Sequence, residues 1–326
     1  MRRWLFFGVL CAVSLASCEP QERLPAEEVL SRAARANQNL NSVRFTLDGS
    51  YSIPIQSLGG SIRGDARTKG VLLNGGGQMH ISAETSASFP ASDGDVQIQA
   101  TFELLTDALE PKYFKIISME IQPANPLLNP DIIERISGRW WELPSGQADP
   151  QEIVPTPDPK LLQAQSQVIR VTEDLGFDML QKKKAYHYQV EVDREKLIAY
   201  LQNLSQDNAE HIDKSELRSK LEKLTTDGEL WIDAQTFALQ RILWNIKFLR
   251  PQDSEETIIA FTMNLMDHNE VPSIELPTNV ALFTVEELLP IFDEISTSSH
   301  IDLSSELENG IIEKLLEVTL EATPSP

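Results

Sequence analysis

Cysteine is nearly absent from this sequence, and the two residues that occur lie close together near its start. Cys11 and Cys18 are the only cysteines in 326 residues. Cys11 lies inside an apolar stretch of the kind that is removed on export, so Cys18 is left without a partner for a disulfide. The chain is therefore not a disulfide-stabilised scaffold.

Motifs of catalysis and of metal or phosphate binding are also absent. The sequence contains no GxSxG elbow and no Walker loop, and Gly75–Gly77 is expected to form a hairpin turn. No histidine has the HExxH spacing of a zinc site. We therefore expect a protein that is not an enzyme and that holds no cofactor and no metal. The histidines are His80, His187, His211, His268 and His300. His187 is expected on the solvated face of its strand.

Basic charge is scarce. The chain has 28 Lys and Arg residues against 49 Asp and Glu residues. A nucleic-acid-binding surface needs clustered Lys and Arg, so nucleic acid is excluded as a partner. Electrostatic adhesion to anionic lipid is excluded for the same reason. The single basic run, Lys182–Lys184, is interpreted as the solvated end of an element, with a contact to lipid headgroups as the alternative.

The N-terminus has the pattern of an export signal. Arg2 and Arg3 precede a thirteen-residue apolar stretch, Trp4–Ala16, that is too short for a comfortable membrane span. The end of this stretch and the two residues after it, LASC at positions 15–18, resemble the bacterial lipobox, in which the cysteine becomes the lipid-bearing N-terminus of the mature protein. This resemblance implies that Cys18 is the lipid attachment site; an ordinary signal peptide with an incidental cysteine is the alternative.

These features predict the domain boundaries at the N-terminus and the localisation. Residues 1–17 form a lipoprotein signal peptide, and residues 18–24 form the lipid anchor and a short tether. The protein is expected to be exported and held at the cell membrane through lipidated Cys18, on the extracellular or periplasmic side. Because the tether is so short, the folded body would lie close to the bilayer.

Residues 25–282 have the pattern of one β-rich domain. A helix is predicted from Pro25, followed by the longest alternating run of the sequence, residues 43–55. Further alternating runs with short connections predict an antiparallel meander with one solvated face. We predict a short helix at 131–137, a strand at 139–143, and a helix over 160–180. Later segments predict a strand at 186–192, then a helix that Asp193 caps, and a further helix near 215–224. Three strands are predicted after these helices, and IELP, at 274–277, is expected to close the sheet.

Beyond residue 282 the pattern changes again. Residues 283–326 contain two short amphipathic helical segments and a polar tail, ATPSP. This C-terminal helical extension either packs against the domain or binds a protein partner.

Four segments of the sequence carry a resemblance to a known family. They are LNSVRFTLDGSY after the first helix, GRWWEL, YHYQVEVDREKLIAYLQNL and DGELWIDAQTFALQRI. In this order they resemble the LolA/LolB-like lipoprotein-carrier superfamily, and most closely its LppX/LprG-type bacterial lipoproteins. The resemblance implies an α+β fold, with a large curved antiparallel sheet that forms an incomplete β-barrel and is covered on its concave side by helices. The longer first sheet, residues 76–105, and the helices after 282 depart from that family.

Such a fold predicts a hydrophobic slot beneath the helices. If the helices leave the concavity partly empty, it suits a lipid or another hydrophobic ligand. The candidate lining residues are Phe45, Leu47, Tyr51, Ile98, Phe102, Ile117, Met119, Tyr186, Tyr188, Trp244, Ile246 and Phe261. Alternating apolar residues also form ordinary cores, so the same residues fit an envelope protein-interaction or assembly lipoprotein without a cavity. A hydrolase with a dispersed site is the third hypothesis.

Overall fold

The computed structural model describes most of the predicted domain. The described residues are 23–55, 60–91, 94–107, 110–123, 130–143, 168–207, 214–249 and 255–284. Cys18, the predicted signal peptide and residues 285–326 of the predicted C-terminal extension lie outside these ranges.

The described residues form mainly strands. The helices are α1 (Ala26–Gln38), α2 (Pro130–Ile136), α3 (Arg194–Asp207) and α4 (Lys214–Leu221). The strands are β1 (Ser42–Ile55), β2 (Gly60–Leu73), β3 (Gln78–Ala91), β4 (Gly94–Asp107), β5 (Glu110–Gln122), β6 (Trp140–Glu142), β7 (Ile169–Leu180), β8 (Lys183–Val192), β9 (Thr225–Asp233), β10 (Leu239–Phe248), β11 (Thr257–Met266) and β12 (Val280–Leu282).

All twelve strands belong to one open sheet with the order β12-β6-β5-β4-β3-β2-β1-β11-β10-β9-β8-β7. Two antiparallel meanders, β1 to β5 and β7 to β11, account for most of it. They join where β1 pairs antiparallel with β11, with Phe45 opposite Leu265 and Tyr51 opposite Ile259. The predicted meander is therefore confirmed, and it extends into a single large sheet.

Alternation along the strands gives the sheet two different faces. On β1, Val43, Phe45 and Leu47 are buried, whereas Arg44 and Asp48 between them are exposed. Because side chains on paired strands share a face when their residues are opposite, the register carries this division across the sheet. We call the side that bears Phe45 the apolar face and the side that bears Asp48 the polar face.

Two glycines on the apolar face lie directly under aromatic rings. A Cβ atom at Gly70 would lie 2.7 Å from the Phe45 ring, and one at Gly228 would lie 2.5 Å from the Trp244 ring. These glycines are the cross-strand partners of the same aromatic residues. The missing side chains let both rings pack flat against the strand backbone, as in other pairs of glycine with an aromatic residue.

Helix α1 packs on part of the apolar face. Val29 and Ala33 on its buried stripe belong to the same core as Phe45 and Tyr188. The guanidinium of Arg32 lies 5.0 Å from the centre of the Phe237 ring, which extends the contact to the turn after β9. The amphipathic first helix is thus present as predicted.

The helix after β8 also begins as predicted. The Lys196 amide donates a hydrogen bond to Asp193 Oδ1 at 3.2 Å, which satisfies one of the free N–H groups of the first turn of α3. Ile198 is fully buried. Arg218 on α4 forms an exposed ion pair with Glu195 on α3, at 2.7 Å, and fastens the two helices to each other.

A second small core lies at the β12 end of the sheet. Trp141 is fully buried against Ile132 of α2, and its indole Nε1 donates to the Ile136 carbonyl at 2.9 Å. Phe283 packs edge-on against Trp141, with ring centres 5.6 Å apart. The two adjacent tryptophans of the GRWWEL segment therefore differ: Trp141 anchors this core, and Trp140 is half-buried.

Two of the secondary-structure predictions are wrong. Residues 169–180 form strand β7 instead of a helix, because two irregularities in the β7–β8 register disturb the alternation on which strand prediction depends. IELP at 274–277 is not a strand; β12, a few residues later, closes the sheet by pairing parallel with β6.

Candidate functional site

The structure brings eleven of the twelve predicted lining residues onto the apolar face. The register places them there, across β1, β4, β5, β8, β10 and β11. They are Phe45, Leu47, Tyr51, Ile98, Phe102, Met119, Tyr186, Tyr188, Trp244, Ile246 and Phe261.

Ile117 is the exception. Phe102 pairs with Ile116 and Thr101 pairs with Ser118, so Ile117 is the extra residue of a β-bulge with no partner on β4. Its side chain is 43% exposed. An inserted residue of this kind interrupts the alternation of inward and outward side chains along the strand. A prediction based on strict alternation therefore assigns Ile117 to the wrong face.

One half of the apolar face is filled. Phe45, Leu47, Tyr186, Tyr188 and Trp244 are at most 7% exposed and belong to the core beneath α1. Phe102, Ile246 and Phe261 pack against this core while remaining partly exposed. We call this region the near half, since it lies where α1 leads into β1.

The other half of the apolar face is only partly covered. Tyr51, Ile98 and Met119 are half-buried and belong to none of the cores of the described residues. We call this region the far half. In addition to these three, its apolar side chains are Ile53, Ile62, Ala87, Phe89, Val96, Ile121 and Ile259.

The far half is continuous across several strands. Tyr51 lies opposite Ile259 on one side and Gly64 on the other, and the same transverse row continues through Ala87 to Ile98 and Ile121. A Cβ atom at Gly64 would lie 2.6 Å from the Tyr51 hydroxyl, so the tyrosine side chain lies flat across the strand. The result is a broad, adaptable apolar surface.

The near half ends in a charged cluster at β7. Arg23, the first described residue, forms an ion pair with Asp174. Two cations lie over the Phe177 ring, with Arg23 at 5.1 Å and Lys184 at 3.7 Å from its centre. These contacts fasten the start of the folded domain to the edge strand of the sheet.

The polar face carries a groove of about 790 Å³ that runs across seven strands, β10, β11 and β1 to β5. Its lining residues fall into three adjacent transverse rows of the register. One wall runs from Leu243 through Asp48 and Arg67 to Ser118, and the other runs from Asn245 through Asp65 to Glu120. The side chains of the row between these walls lie on the apolar face, so only the backbone of that row forms the floor of the groove. The groove therefore lies on the polar face.

The dimensions and charge of this groove limit what it can hold. Six strand spacings give a length of about 29 Å, and two residues along a strand give a width of about 7 Å. The side chains that line it include four carboxylates, those of Asp48, Asp65, Glu84 and Glu120, and one guanidinium, that of Arg67, which lies 3.5 Å from Asp48. The groove is therefore suited to an extended, polar and non-acidic partner. The sequence offered no signal for it, because it arises from residues brought together by strand pairing.

A second polar-face cluster surrounds Trp231. The His187 ring stacks on Trp231 at 4.2 Å and donates from Nε2 to Glu229 at 2.6 Å, as expected for a residue on the solvated face. The Trp231 indole donates to Asp178 at 2.9 Å, and this bond holds the pKa of Asp178 below its ordinary value. Each polar group named here has a partner inside the cluster, so we interpret the cluster as structural.

No site for a metal and no membrane-crossing helix is found among the described residues. They contain no group of three or more His, Cys, Asp or Glu side chains arranged to hold a metal ion. None of their helices is both long and apolar enough to cross a membrane.

Comparison with known proteins returns matches to solved structures alone. No family model matches the sequence, and no curated protein matches it significantly. The lipoprotein LppX of Mycobacterium tuberculosis is 10% identical, and the match covers 77% of this chain and 100% of LppX with a TM-score of 0.33. A DUF1329 family protein from Desulfovibrio piger is 11% identical, with coverages of 77% and 96% and a TM-score of 0.18. LppX is a lipoprotein of the type that the four sequence segments resemble.

Proposed function

We propose that this protein is a membrane-anchored lipoprotein that binds a hydrophobic ligand, such as a lipid, on the far half of its apolar face, with helices of the chain covering the ligand. The observation that carries this proposal is the continuous row of half-buried apolar side chains from Ile259 through Tyr51 to Ile121, outside every core of the described residues. An apolar surface of this extent on a soluble domain usually has a ligand or a partner.

The anchor would place this surface near the bilayer. Arg23 is fastened to Asp174 on β7, and the predicted lipid site, Cys18, lies five residues before it in the sequence. Five extended residues span about 17 Å. Lipid on Cys18 would therefore hold the sheet within reach of the membrane, from which a hydrophobic ligand could transfer. The proposed role is binding without catalysis.

Native mass spectrometry after gentle extraction tests the proposal. We expect a co-purified lipid on the wild-type protein and its loss from the variant Ile98→Asp, because an acyl chain packed on the apolar face would strip the introduced carboxylate of its hydration. Gln99→Asp is the matched control, since it places the same group on the polar face beside the same position. Folded, uniformly ligand-free wild-type protein would overturn the proposal.

The polar groove supports a second candidate function, that of an envelope assembly lipoprotein. Its width fits a single extended chain, and its length corresponds to about eight residues of an extended peptide. Its excess of carboxylates favours a basic peptide segment of a protein partner over an acidic one.

A photo-crosslinking residue tests this second function inside cells. At Ser86, on a wall of the groove, it should yield one defined product that disappears when Thr101→Trp fills the groove. The same residue at Ala87, on the opposite face, is the control. Equal products at both positions would exclude the groove as the binding surface.

A further inference from the structure

The turn between β7 and β8 carries three lysines at an exposed tip. The lysines at 182–184 are all exposed, and none of them forms an ion pair with a carboxylate of the described residues. Arg44 and Arg218, in contrast, are each paired with a carboxylate. We call residues 179–184 the basic tip.

The backbone of the basic tip adopts a conformation that glycine favours. The φ angle is 51° at Gln181 and 67° at Lys182. Two-residue hairpin turns with positive φ at both positions usually have glycine at the second, because a Cβ atom is strained there. The chain therefore keeps Lys182 at a cost in free energy. Strain of this kind indicates a function of the side chain rather than a requirement of the fold.

An exposed apolar side chain accompanies these charges. Met179 is 64% exposed and lies opposite Lys184, on the same face of the hairpin. Such a surface is amphipathic. The thioether is suited to the boundary between headgroups and acyl chains, and the ammonium groups are suited to the lipid phosphates above that boundary.

The carboxylates of β7 do not cancel the charge of the basic tip. Asp174 lies on the apolar face, opposite Tyr188, and is neutralised by its ion pair with Arg23. Asp178 lies on the polar face, where it accepts a hydrogen bond from the Trp231 indole. The face that bears Met179 and Lys184 therefore has no unpaired carboxylate from β7 or β8.

The basic tip lies next to the start of the folded domain. The Lys184 ammonium and the Arg23 guanidinium lie over the same ring, that of Phe177. Cys18 precedes Arg23 by five residues, which span about 17 Å when extended. The turn begins four residues beyond Phe177, about 13 Å along the strand. The tether is therefore long enough for the lipid on Cys18 to enter the bilayer that the basic tip contacts.

We infer that the basic tip docks on anionic lipid headgroups and thereby sets the orientation of the anchored domain. The inference rests on the proposed anchor at Cys18 and is independent of the proposed ligand. The chain has 28 Lys and Arg residues against 49 Asp and Glu residues, so charge alone would not bring it to an anionic membrane. Once the anchor holds the basic tip within a Debye length of the surface, about 10 Å, each lysine favours docking roughly fivefold.

Vesicles that carry the anchored chain test the inference. The protein is the full mature chain, residues 18–326, with its single thiol, Cys18, coupled to a maleimide lipid. The vesicles are phosphatidylcholine alone, or equal parts phosphatidylcholine and phosphatidylglycerol. A fluorescent amino acid replaces Met179, and a lipid with a nitroxide on its headgroup quenches it on contact. We expect strong quenching on the anionic vesicles, weak quenching on the neutral ones, and loss of the difference at high salt.

Two exposed lysines at opposite ends of the sheet supply matched variants. Lys182→Gln should lower the ratio of docked to undocked protein roughly fivefold. Lys247→Gln removes the same charge at the far end of β10 and should leave the ratio unchanged. Lys182→Gly should weaken docking as much as Lys182→Gln and should unfold at the same temperature as the wild type or higher, because glycine relieves the strain.

A second probe position tests orientation. The same fluorescent amino acid at Ile258, 40% exposed at the opposite end of the sheet, should not be quenched. Equal quenching at Met179 and Ile258 would overturn the inference, since the domain would then have no preferred orientation. Quenching at Met179 that is equal on both kinds of vesicle, or unchanged by Lys182→Gln, would also overturn it.

The proposed function is tested by separate measurements. The ligand is tested by the lipid that co-purifies with the protein, and no result with the vesicles changes that outcome. The anchor is tested by the mass of the chain extracted from cells. Unmodified Cys18 there would overturn the proposed anchor and this inference together.

Discussion

The near and far halves of the apolar face are built from the same strands but differ in how completely they are buried. Phe45 and Tyr51 lie on the same face of β1, six residues apart; Phe45 is fully buried, and Tyr51 is half-buried. The near half has α1 packed on it, and it shares one core with Val29 and Ala33. The far half belongs to no core of the described residues.

This difference separates two uses of one sequence pattern. Alternating apolar residues give a strand one apolar face, but the pattern is the same whether that face packs in a core or binds a ligand. In the near half, side chains such as Phe45 hold the domain together. In the far half, Tyr51, Ile98 and Met119 remain available. Stability and binding are therefore expected to depend on different residues of the same face.

The largest effect is expected from truncating Phe45. Phe45→Ala should destabilise the protein by about 3–5 kcal/mol, because it opens a cavity in a fully packed core and uncovers Gly70. Ile98→Ala, in the far half, should cost less than about 1 kcal/mol, since its side chain is already half-exposed. Urea unfolding followed by tryptophan fluorescence and circular dichroism measures both. Equal losses would show that the two halves are buried to the same extent in the folded chain.

A smaller effect is expected where the near half has no space for a methyl group. At Gly228 an added Cβ would lie 2.5 Å from the Trp244 ring, and Trp244 is buried and cannot move freely. Gly228→Ala should therefore cost about 1–3 kcal/mol through overpacking. Gly77→Ala is the control, because there the nearest atom to an added Cβ is 3.4 Å away, and φ is −64°. The two variants are compared by thermal unfolding; similar midpoints would contradict tight packing of Trp244 on Gly228.

The sequence predicts most strands because each has a regular alternation of its own. It fails at β7, where bulges near Val171 and Gly176 disturb the period, and at Ile117, which is itself an inserted residue. Both failures have the same cause: a bulge is defined by the partner strand, and a single strand does not reveal its partner.

The polar groove depends even more on long-range pairing. Asp48 and Thr262 face each other across the β1–β11 pair, more than 200 residues apart in the sequence, and they belong to the same wall. No local pattern specifies that register. The predicted lining residues, in contrast, lie on one face because of the alternation within each strand, which the sequence shows. Which of them are buried in the near half and which stay partly exposed in the far half depends on where α1 packs.

The smallest effect is expected from pH, and it too belongs to the near half. Burial holds the pKa of His268 below its ordinary value of 6.5, although the bond from Nε2 to the Leu239 carbonyl acts in the opposite direction. Lys183 lowers this pKa further, and Asp233 and Asp267 raise it. His268 lies two residues beyond β11, next to the start of β10, and so at the near-half end of these strands.

The sign of the pH effect follows from this shift. The folded state binds the His268 proton less readily than the unfolded state, so the stability from neutral His268 is complete above 6.5 and is lost as the pH falls from there toward the folded pKa. Thermal unfolding between about pH 8 and about pH 5 should show this loss in the wild type. His268→Gln keeps a donor for the Leu239 carbonyl but cannot titrate, so its midpoint should fall less over the same range. Other groups titrate equally in both proteins, so the difference between the two plots of unfolding midpoint against pH isolates His268. Identical slopes would show that burial in the folded state does not lower the pKa of His268.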